Sequence, residues 1–315
     1  MASDAALVNI DPELCEFVGR FKNFHLSAET LNDFRKMTMG VVAQPDDLRV
    51  ISESVTLPSS PGVLLLMHRP LSDHTAMPCA LHMHGGGFVG GSAQSDAPSM
   101  RALAAETQCI IASVDYRLAP EAQYPAPLDD CAAAFALLLT DAARWRINTS
   151  RIGVIGESAG GGLAAGLALK LRDAGKNRPA FLHLIYPMLD DRTAASGGAD
   201  NVPVWSGRSN QFGWRCYLGD ALAASSVPIY AAPGRAPDLS GMPPTYLAVG
   251  DSDLFFSENA RFARALELAG VEVEFDVYAG GVHGFMHAPS ATMATKARAN
   301  SAYALKRALA GSKRS

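Results

Sequence analysis

From Arg49 onward the chain alternates short apolar runs with longer stretches of helical spacing. VISESVTL and VLLLMHRP flank the turn-forming PSSPG, which predicts a β-hairpin with a longer loop. CALHMH reads as a strand, followed by a glycine loop and a helix near Pro98 to Glu106. CIIASVD predicts a short buried strand, with a helix after it from about Ala126 to Ala143. RIGVIGE is the next strand and runs directly into an Ala/Gly/Leu-rich helix, Ala159 to Ala174. FLHLIYP and PTYLAVG are further strands, and a helix covers Ser257 to Ala269. VEVEFDVY is the last strand, and a C-terminal helix ends near Ala310. Short apolar strands separated by helices indicate an α/β fold: a mostly parallel sheet covered on both faces.

Two regions depart from this rhythm. The first fifty residues carry helical spacing at Phe17, Phe21 and Phe24, then Leu31, Phe34 and Met37 or Thr38, with Ser27 as a candidate N-cap. Asp191 to Pro243 is rich in Gly, Pro, Ser and Asp but also holds Trp205, Phe212, Trp214 and Tyr217. That is too long for a bare loop in a compact domain, so it predicts a helical insertion. The two regions together would form a cap over the carboxyl edge of the sheet. The resulting division is an N-terminal cap segment 1–48, core 49–190, cap insertion 191–240 and core 241–315.

The bulk numbers narrow the class of protein. With 315 residues, one enlarged domain with an insertion is the better expectation than two domains. A net charge of -4 gives no basic footprint for nucleic acid or anionic lipid. Cys15, Cys79, Cys109, Cys131 and Cys216 are scattered and form no CxxC pair, which points to reduced thiols. The start, MASDAALVNIDPEL, lacks the basic flank and apolar block of a signal peptide. The longest apolar run, Cys131 to Leu139, is too short to span a bilayer. The expectation is a soluble cytoplasmic protein with no nucleic-acid or membrane partner.

The chemistry is concentrated in a few loops. Gly156-Glu157-Ser158-Ala159-Gly160 follows a strand and opens a helix, a context that presents a serine hydroxyl at a sheet edge. His84-Gly85-Gly86-Gly87-Phe88 also follows a strand, and consecutive glycines let backbone N–H groups approach a developing oxyanion. Gly86, Gly87 and the N–H of Ala159 are the candidate donors. Of eight histidines, His283 lies in a loop after the last strand, where the order serine–acid–histidine places a base. His287 reads as pocket-lining or surface. His25, His68, His74 and His183 read as structural or solvated. His82 and His84, or His283 and His287, have metal-like spacing, but no acidic or cysteine pattern accompanies them, so no metal is expected. For the acid, Gly250-Asp251-Ser252-Asp253-Leu254 offers Asp251 and Asp253, with Asp190 and Asp191 weaker; local chemistry alone leaves them open.

HGGGF (84–88), DYRLAPE (115–121), YP (124–125), GESAGG (156–161), DLFFSE (253–258) and HGF (283–285) together resemble the hormone-sensitive-lipase family of esterases, its bacterial members in particular. The resemblance runs from about residue 80 to the C-terminus. It implies an α/β-hydrolase fold with an eight-stranded core and a helical cap, and it places the family's acid on Asp253, 17 residues before Gly270. It implies a serine carboxylesterase with Ser158, Asp253 and His283 as triad, acting on short- to medium-chain acyl or aryl esters without a cofactor. A homodimer through the last sheet edge and C-terminal helix follows from the same likeness. Phe88, Trp205, Phe212 and Trp214 are the candidate substrate contacts, with Phe17, Phe21 and Phe34 as further wall. Two positions depart from the family pattern: Glu157, where many relatives carry Asp, and Ser257-Glu258, in place of an acidic pair. Tyr116, Arg117 and Glu121 read as buried network residues. The same machinery also serves amidases, deacetylases or lactonases, and a relative lacking the histidine would only bind ligand; here His283 is present.

Overall fold

β1 (Val50–Thr56) and β2 (Leu64–Pro70) pair antiparallel, Val50 opposite Pro70 and Thr56 opposite Leu64. They form one margin of a sheet ordered β1-β2-β4-β3-β5-β6-β7-β8 in a computed structural model that describes residues 9–22, 24–40, 47–60, 62–72, 76–175, 177–195, 202–219 and 227–310. β3 (Met77–Met83), β4 (Ile110–Val114), β5 (Ile147–Glu157), β6 (Leu182–Ile185), β7 (Thr245–Gly250) and β8 (Val273–Tyr278) are all parallel to their neighbours, except where β4 meets β2. The eight-stranded, mostly parallel sheet expected from the sequence is present.

Every residue of β4, β6 and β7 is buried, as strands covered on both faces must be. Alternation of side chains divides the core in two. Cys79, Leu81 and Met83 of β3 belong to the large cluster that also holds Leu128 and Phe135 of α4 (Ala126–Thr140) and Leu163 and Leu167 of α6 (Ala159–Asp173). Ala80, Ile111 and Ile155 point the other way, against Ala104 of α3 (Ala93–Thr107) and Leu305 and Leu309 of α10 (Thr292–Ala310). α9 (Phe256–Leu268) covers β7 and β8. Because β3 and β5 to β8 share one direction, the loops after them converge on one edge, where open α/β sheets bind ligands.

Some boundaries differ from the sequence reading. The helix expected from Pro98 begins at Ala93: Ser92 accepts the Ser95 N–H at 3.0 Å, and this cap starts the helix before Pro98, which sits in its second turn. The helix expected to reach Ala143 stops at Thr140, and a short α5 (Ala142–Trp145) follows Asp141. In the N-terminal region, α1 (Cys15–Gly19) and α2 (Leu31–Thr38) are short. Ser27 does not cap α2 directly. It exchanges hydrogen bonds with Thr30, the residue that stands at the N-cap. The insertion contains α7 (Arg192–Ala195) and α8 (Gly207–Leu218), the latter capped by Ser206.

These two regions dock on each other and on the core. Leu26 N–H donates to Ser209 Oγ at 2.9 Å, and His25 Nδ1 lies 3.1 Å from Ser206 Oγ. Arg35 donates to both Glu121 carboxylate oxygens and to the carbonyls of Val89 and Ala119. Glu121 and Arg117 are therefore not buried, contrary to the sequence reading: each is held at the surface by an ion pair, Glu121 with Arg35 and Arg117 with Asp130. Tyr116 is buried as expected. Among the described residues no helix is long and apolar enough to cross a membrane.

Three imidazoles are enclosed against the sheet as neutral groups. His82 bonds Ser113, His183 bonds Ser301 of α10, and His68 bonds Ser52. Burial pushes His82 and His183 down to about 3 and His68 to about 4. An unfolded histidine titrates near 6.5. Their contribution to stability is therefore fully present above pH 6.5 and is lost as the pH falls toward 3, because only the unfolded chain takes up the protons. Between pH 7 and 4 the urea midpoint of His183→Gln should fall less, or rise more, than that of the wild type; equal slopes in both proteins would contradict this account.

Candidate active site

β5 ends at Glu157 and α6 begins at Ala159, so Ser158 alone makes the turn, at φ 53 and ψ -122. Non-glycine residues rarely adopt positive φ, and this one is held there from both sides. The Ser158 N–H donates to Ile185 O at 2.9 Å, while its carbonyl accepts from Met188 at 2.8 Å and Gly162 at 3.1 Å. Room for the turn exists only because its neighbours are small: a Cβ on Gly160 would lie 2.1 Å from Met83 O. The hydroxyl thereby faces the carboxyl edge of the sheet, above the first turn of α6.

Two other loops bring partners to it. Ser158 Oγ lies 2.9 Å from His283 Nε2, and His283 Nδ1 lies 2.9 Å from Asp253 Oδ2. A neutral imidazole donating Nδ1–H to the carboxylate leaves Nε2 able to accept the serine proton. Asp253 follows β7, and its second oxygen accepts the Phe255 N–H at 2.9 Å. Asp251 points elsewhere: it accepts the Gly280 N–H at 2.7 Å and braces the loop that carries His283. Asp190 and Asp191 pair with Arg192 and Arg235. The geometry thus separates the two aspartates that the local sequence leaves open.

The glycine loop follows β3 at the same edge. His84 stacks on Tyr116 with centroids 4.1 Å apart, and the Tyr116 hydroxyl donates to His84 O at 2.8 Å, fixing the start of the loop. Gly87 has φ 60, and a Cβ there would sit 2.3 Å from the Trp205 ring. The Gly86 carbonyl turns inward to accept from Val89 and Gly90. Among the described residues, the N–H groups of Gly86 and Gly87 donate to no protein acceptor. Ala159, at the first position of α6, has no preceding helical turn to bond.

Ser158, His283 and Gly85 to Gly87 line a cavity of about 360 Å³. One side is apolar: Phe17, Phe21, Phe24 and Phe34 from the N-terminal segment, with Val204 and Trp205 from the insertion. Trp205 therefore reaches the cavity as the sequence suggests, but Phe88, Phe212 and Trp214 do not line it. Phe88, at φ 66, turns into the core and stacks on Tyr217 at 4.0 Å; Trp214 is fully buried beside it. Phe212 packs against the core from its side of α8.

The other side is polar and was not visible as a unit in the sequence. Glu157, Asp96, Tyr186 and His287 line it. His287 Nε2 lies 3.3 Å from Glu157 Oε2, and the Tyr186 hydroxyl donates to the same oxygen at 3.3 Å. The Glu157 charge raises His287 to about 9. Burial alone would raise Glu157, but His287, His82 and the Tyr186 hydroxyl together outweigh it and keep the carboxylate ionised. Asp96 is pushed up to about 7, first by burial and then by Glu157. A signal for part of this existed: His287 is one helical turn past His283. Glu258 is also buried, raised to about 8 by desolvation; it accepts the Leu189 N–H at 2.6 Å and the Thr193 hydroxyl. That gives the Ser257-Glu258 departure a supporting role beneath the loop after β6.

Comparison with known proteins agrees with this architecture. A sequence profile of the alpha/beta hydrolase fold matches residues 80–287. The chain is 32% identical to esterase LipI of Mycobacterium tuberculosis over 296 residues, covering 91% of this chain and 92% of that protein. It is 31% identical to carboxylesterase NlhH of the same species, over 96% and 97% of the two chains. Among solved structures, a bacterial heroin esterase superposes with a TM-score of 0.86 at 34% identity, covering 96% of this chain and 98% of that one. Esterase LipW of Mycobacterium marinum gives 0.77 at 29% identity, over 95% and 96%. The chain belongs to the α/β-hydrolase family, in the hormone-sensitive-lipase group.

The tightness of the serine turn makes a direct prediction. Gly160→Ala should destabilise the fold by about 1–3 kcal/mol, the usual range for overpacking, and should lower activity further than the loss of folded protein accounts for. Thermal melts beside specific activity per folded molecule check it, and a variant with unchanged melting and turnover would contradict the steric argument.

Proposed function

We propose that Ser158 is a nucleophile, His283 its general base and Asp253 the group that fixes the imidazole, in a carboxylic ester hydrolase that works through an acyl-enzyme. The observation that carries this reading is the unbroken relay from Ser158 Oγ to His283 Nε2 and from His283 Nδ1 to Asp253, each step 2.9 Å, opening into a cavity with one apolar wall. His283 takes the serine proton as Oγ attacks the ester carbonyl. The N–H groups of Gly86, Gly87 and Ala159 receive the negative charge on the carbonyl oxygen. The protonated imidazole then gives its proton to the departing alcohol, and a water repeats the sequence to release the acid. No step calls for a cofactor.

The names of the relatives, esterase and carboxylesterase, support the same class. The two helical segments act as the cap that supplies the acyl wall. A cavity near the lower end of the usual ligand-site range suits short to medium acyl or aryl esters rather than long lipid chains. β8 pairs on one side only, so its free edge with α10 is the surface for the homodimer that the family likeness implies. Four of the five thiols are buried and all five are unpaired, in keeping with a cytoplasmic location.

Ser158→Ala should fold normally and lose turnover by roughly 10⁵-fold or more, and Asp253→Asn by about 10³–10⁴-fold. A phosphonate probe should add its mass at Ser158 alone. On a p-nitrophenyl ester series, activity should peak at acyl chains of about four to eight carbons and fall steeply by twelve. Full turnover in Ser158→Ala would end the assignment.

A further inference from the structure

Glu157 and His287 stand outside the relay but close in the chain to two of its members, Glu157 before Ser158 and His287 four residues after His283. Glu157 is the residue before the nucleophile, so its backbone is the last link of β5 before Ser158. Its side chain lies along the start of the glycine loop: a Cβ on Gly85 would sit 3.5 Å from Glu157 Cγ and Oε1. Its carboxylate faces His287 at 3.3 Å, and His287 is four residues beyond His283 in a single turn, Phe285–His287, closed by the His287 N–H bond to Gly284 O at 2.9 Å. Behind that turn, Arg298 of α10 donates to Met286 O. Tyr186 bonds Glu157 and lays its ring edge against His283, with centroids 5.0 Å apart. We infer that the Glu157–His287 ion pair is a positioning clamp that fixes the loop bearing His283 against the turn bearing Ser158 and the glycine loop. This rests on the triad reading above.

The groups around the clamp decide its pH range. Glu157 faces His287 from β5, Asp96 faces both from α3, and Arg298 faces the imidazole from α10. Tyr186 and His82 face the Glu157 carboxylate. Glu157 first, and then Asp96, outweigh desolvation and Arg298 and push His287 up to about 9. A hydrogen bond between two charged groups is about twice as strong as a neutral one. The clamp therefore holds in its charged form below pH 9 and loosens above it. The turn at His287 has α10 behind it and solvent on its other side, so loss of the pair leaves the His283 loop tethered from the Asp251, Ser252 and Arg298 side, without its ion pair to the end of β5.

His287→Gln keeps a donor for Glu157 and removes the titrating charge. The wild-type kcat/KM profile should show an alkaline fall near pH 9 that is missing from His287→Gln. At pH 7.5 the variant should lose about five- to tenfold in kcat with KM changed less than twofold. An unchanged alkaline limb in His287→Gln, or a variant altered only in melting temperature, would overturn the clamp. A second measurement needs no turnover: in Ser158→Ala the His287 imidazole NMR signal should titrate near pH 9 and return toward the ordinary histidine range when Glu157→Gln is added. A His287 signal that ignores the Glu157 change overturns the pairing. Failure of the triad reading looks different: the wild-type protein would hydrolyse no ester and take no phosphonate at Ser158.

Discussion

The backbone of Ser158 is held at a conformation that a residue with a Cβ adopts only under constraint, and the surrounding architecture supplies that constraint. Its N–H is taken by the end of β6, its carbonyl by the loop after β6, and the helix that follows is pressed against β3 through Gly160. The turn is thus pinned by both strands that flank β5. Strand order matters here as much as local sequence. Only a central strand with neighbours on both sides can be held from two directions, and β5 is that strand. The cost of the strained turn is met by the burial of the apolar inner strands, and the reward is a hydroxyl presented clear of its own backbone.

Around that fixed point the chain divides its labour by distance from the sheet. Groups that handle protons sit on loops braced by the strand ends: Asp253 by its bond to Phe255, the His283 loop by Asp251. Groups that shape the cavity sit on short helices joined to the core by a few polar links. Precision is needed at the first set, because proton transfer depends on geometry at the scale of tenths of an ångström to an ångström. The second set needs only to exclude water and offer apolar surface.

This division explains what could be read from the amino-acid sequence. The strands were legible because parallel, doubly covered strands are short and apolar, and the loops were legible because glycine runs have few other uses. The choice between Asp251 and Asp253 was not settled by local chemistry. Both aspartates end the same strand; they differ in whether the side chain turns to a backbone amide at Gly280 or to an imidazole, and that depends on where β8 delivers its loop. The aromatic positions were harder. Trp205, Phe212 and Trp214 look alike in the sequence, yet only Trp205 precedes the capped start of α8 and leans over the glycine loop; Trp214 faces the interior from the helix. The Glu157–His287 contact joins residues 157 and 287 through the fold, and no local pattern encodes it.

The N-terminal segment is fastened near its start and near its end, besides the His25 and Leu26 contacts with α8 at its middle. Near its start, Asn9 O accepts from Ser252, Asp11 N–H donates to Gly280 O and Glu13 accepts from Thr292; near its end, Arg35 grips Glu121 and two carbonyls. Between these fasteners run Phe17, Phe21, Phe24 and Phe34, a belt of rings slung across the mouth of the cavity. The forward fastener is shared with the loops that bear the acid and the base, so tension in the belt and alignment of the reacting groups are mechanically linked. None of the four rings lies on a strand of the sheet. Lineages of this fold can therefore diversify the molecules they accept by rewriting a handful of positions in the first forty residues, while the buried sheet stays as it is.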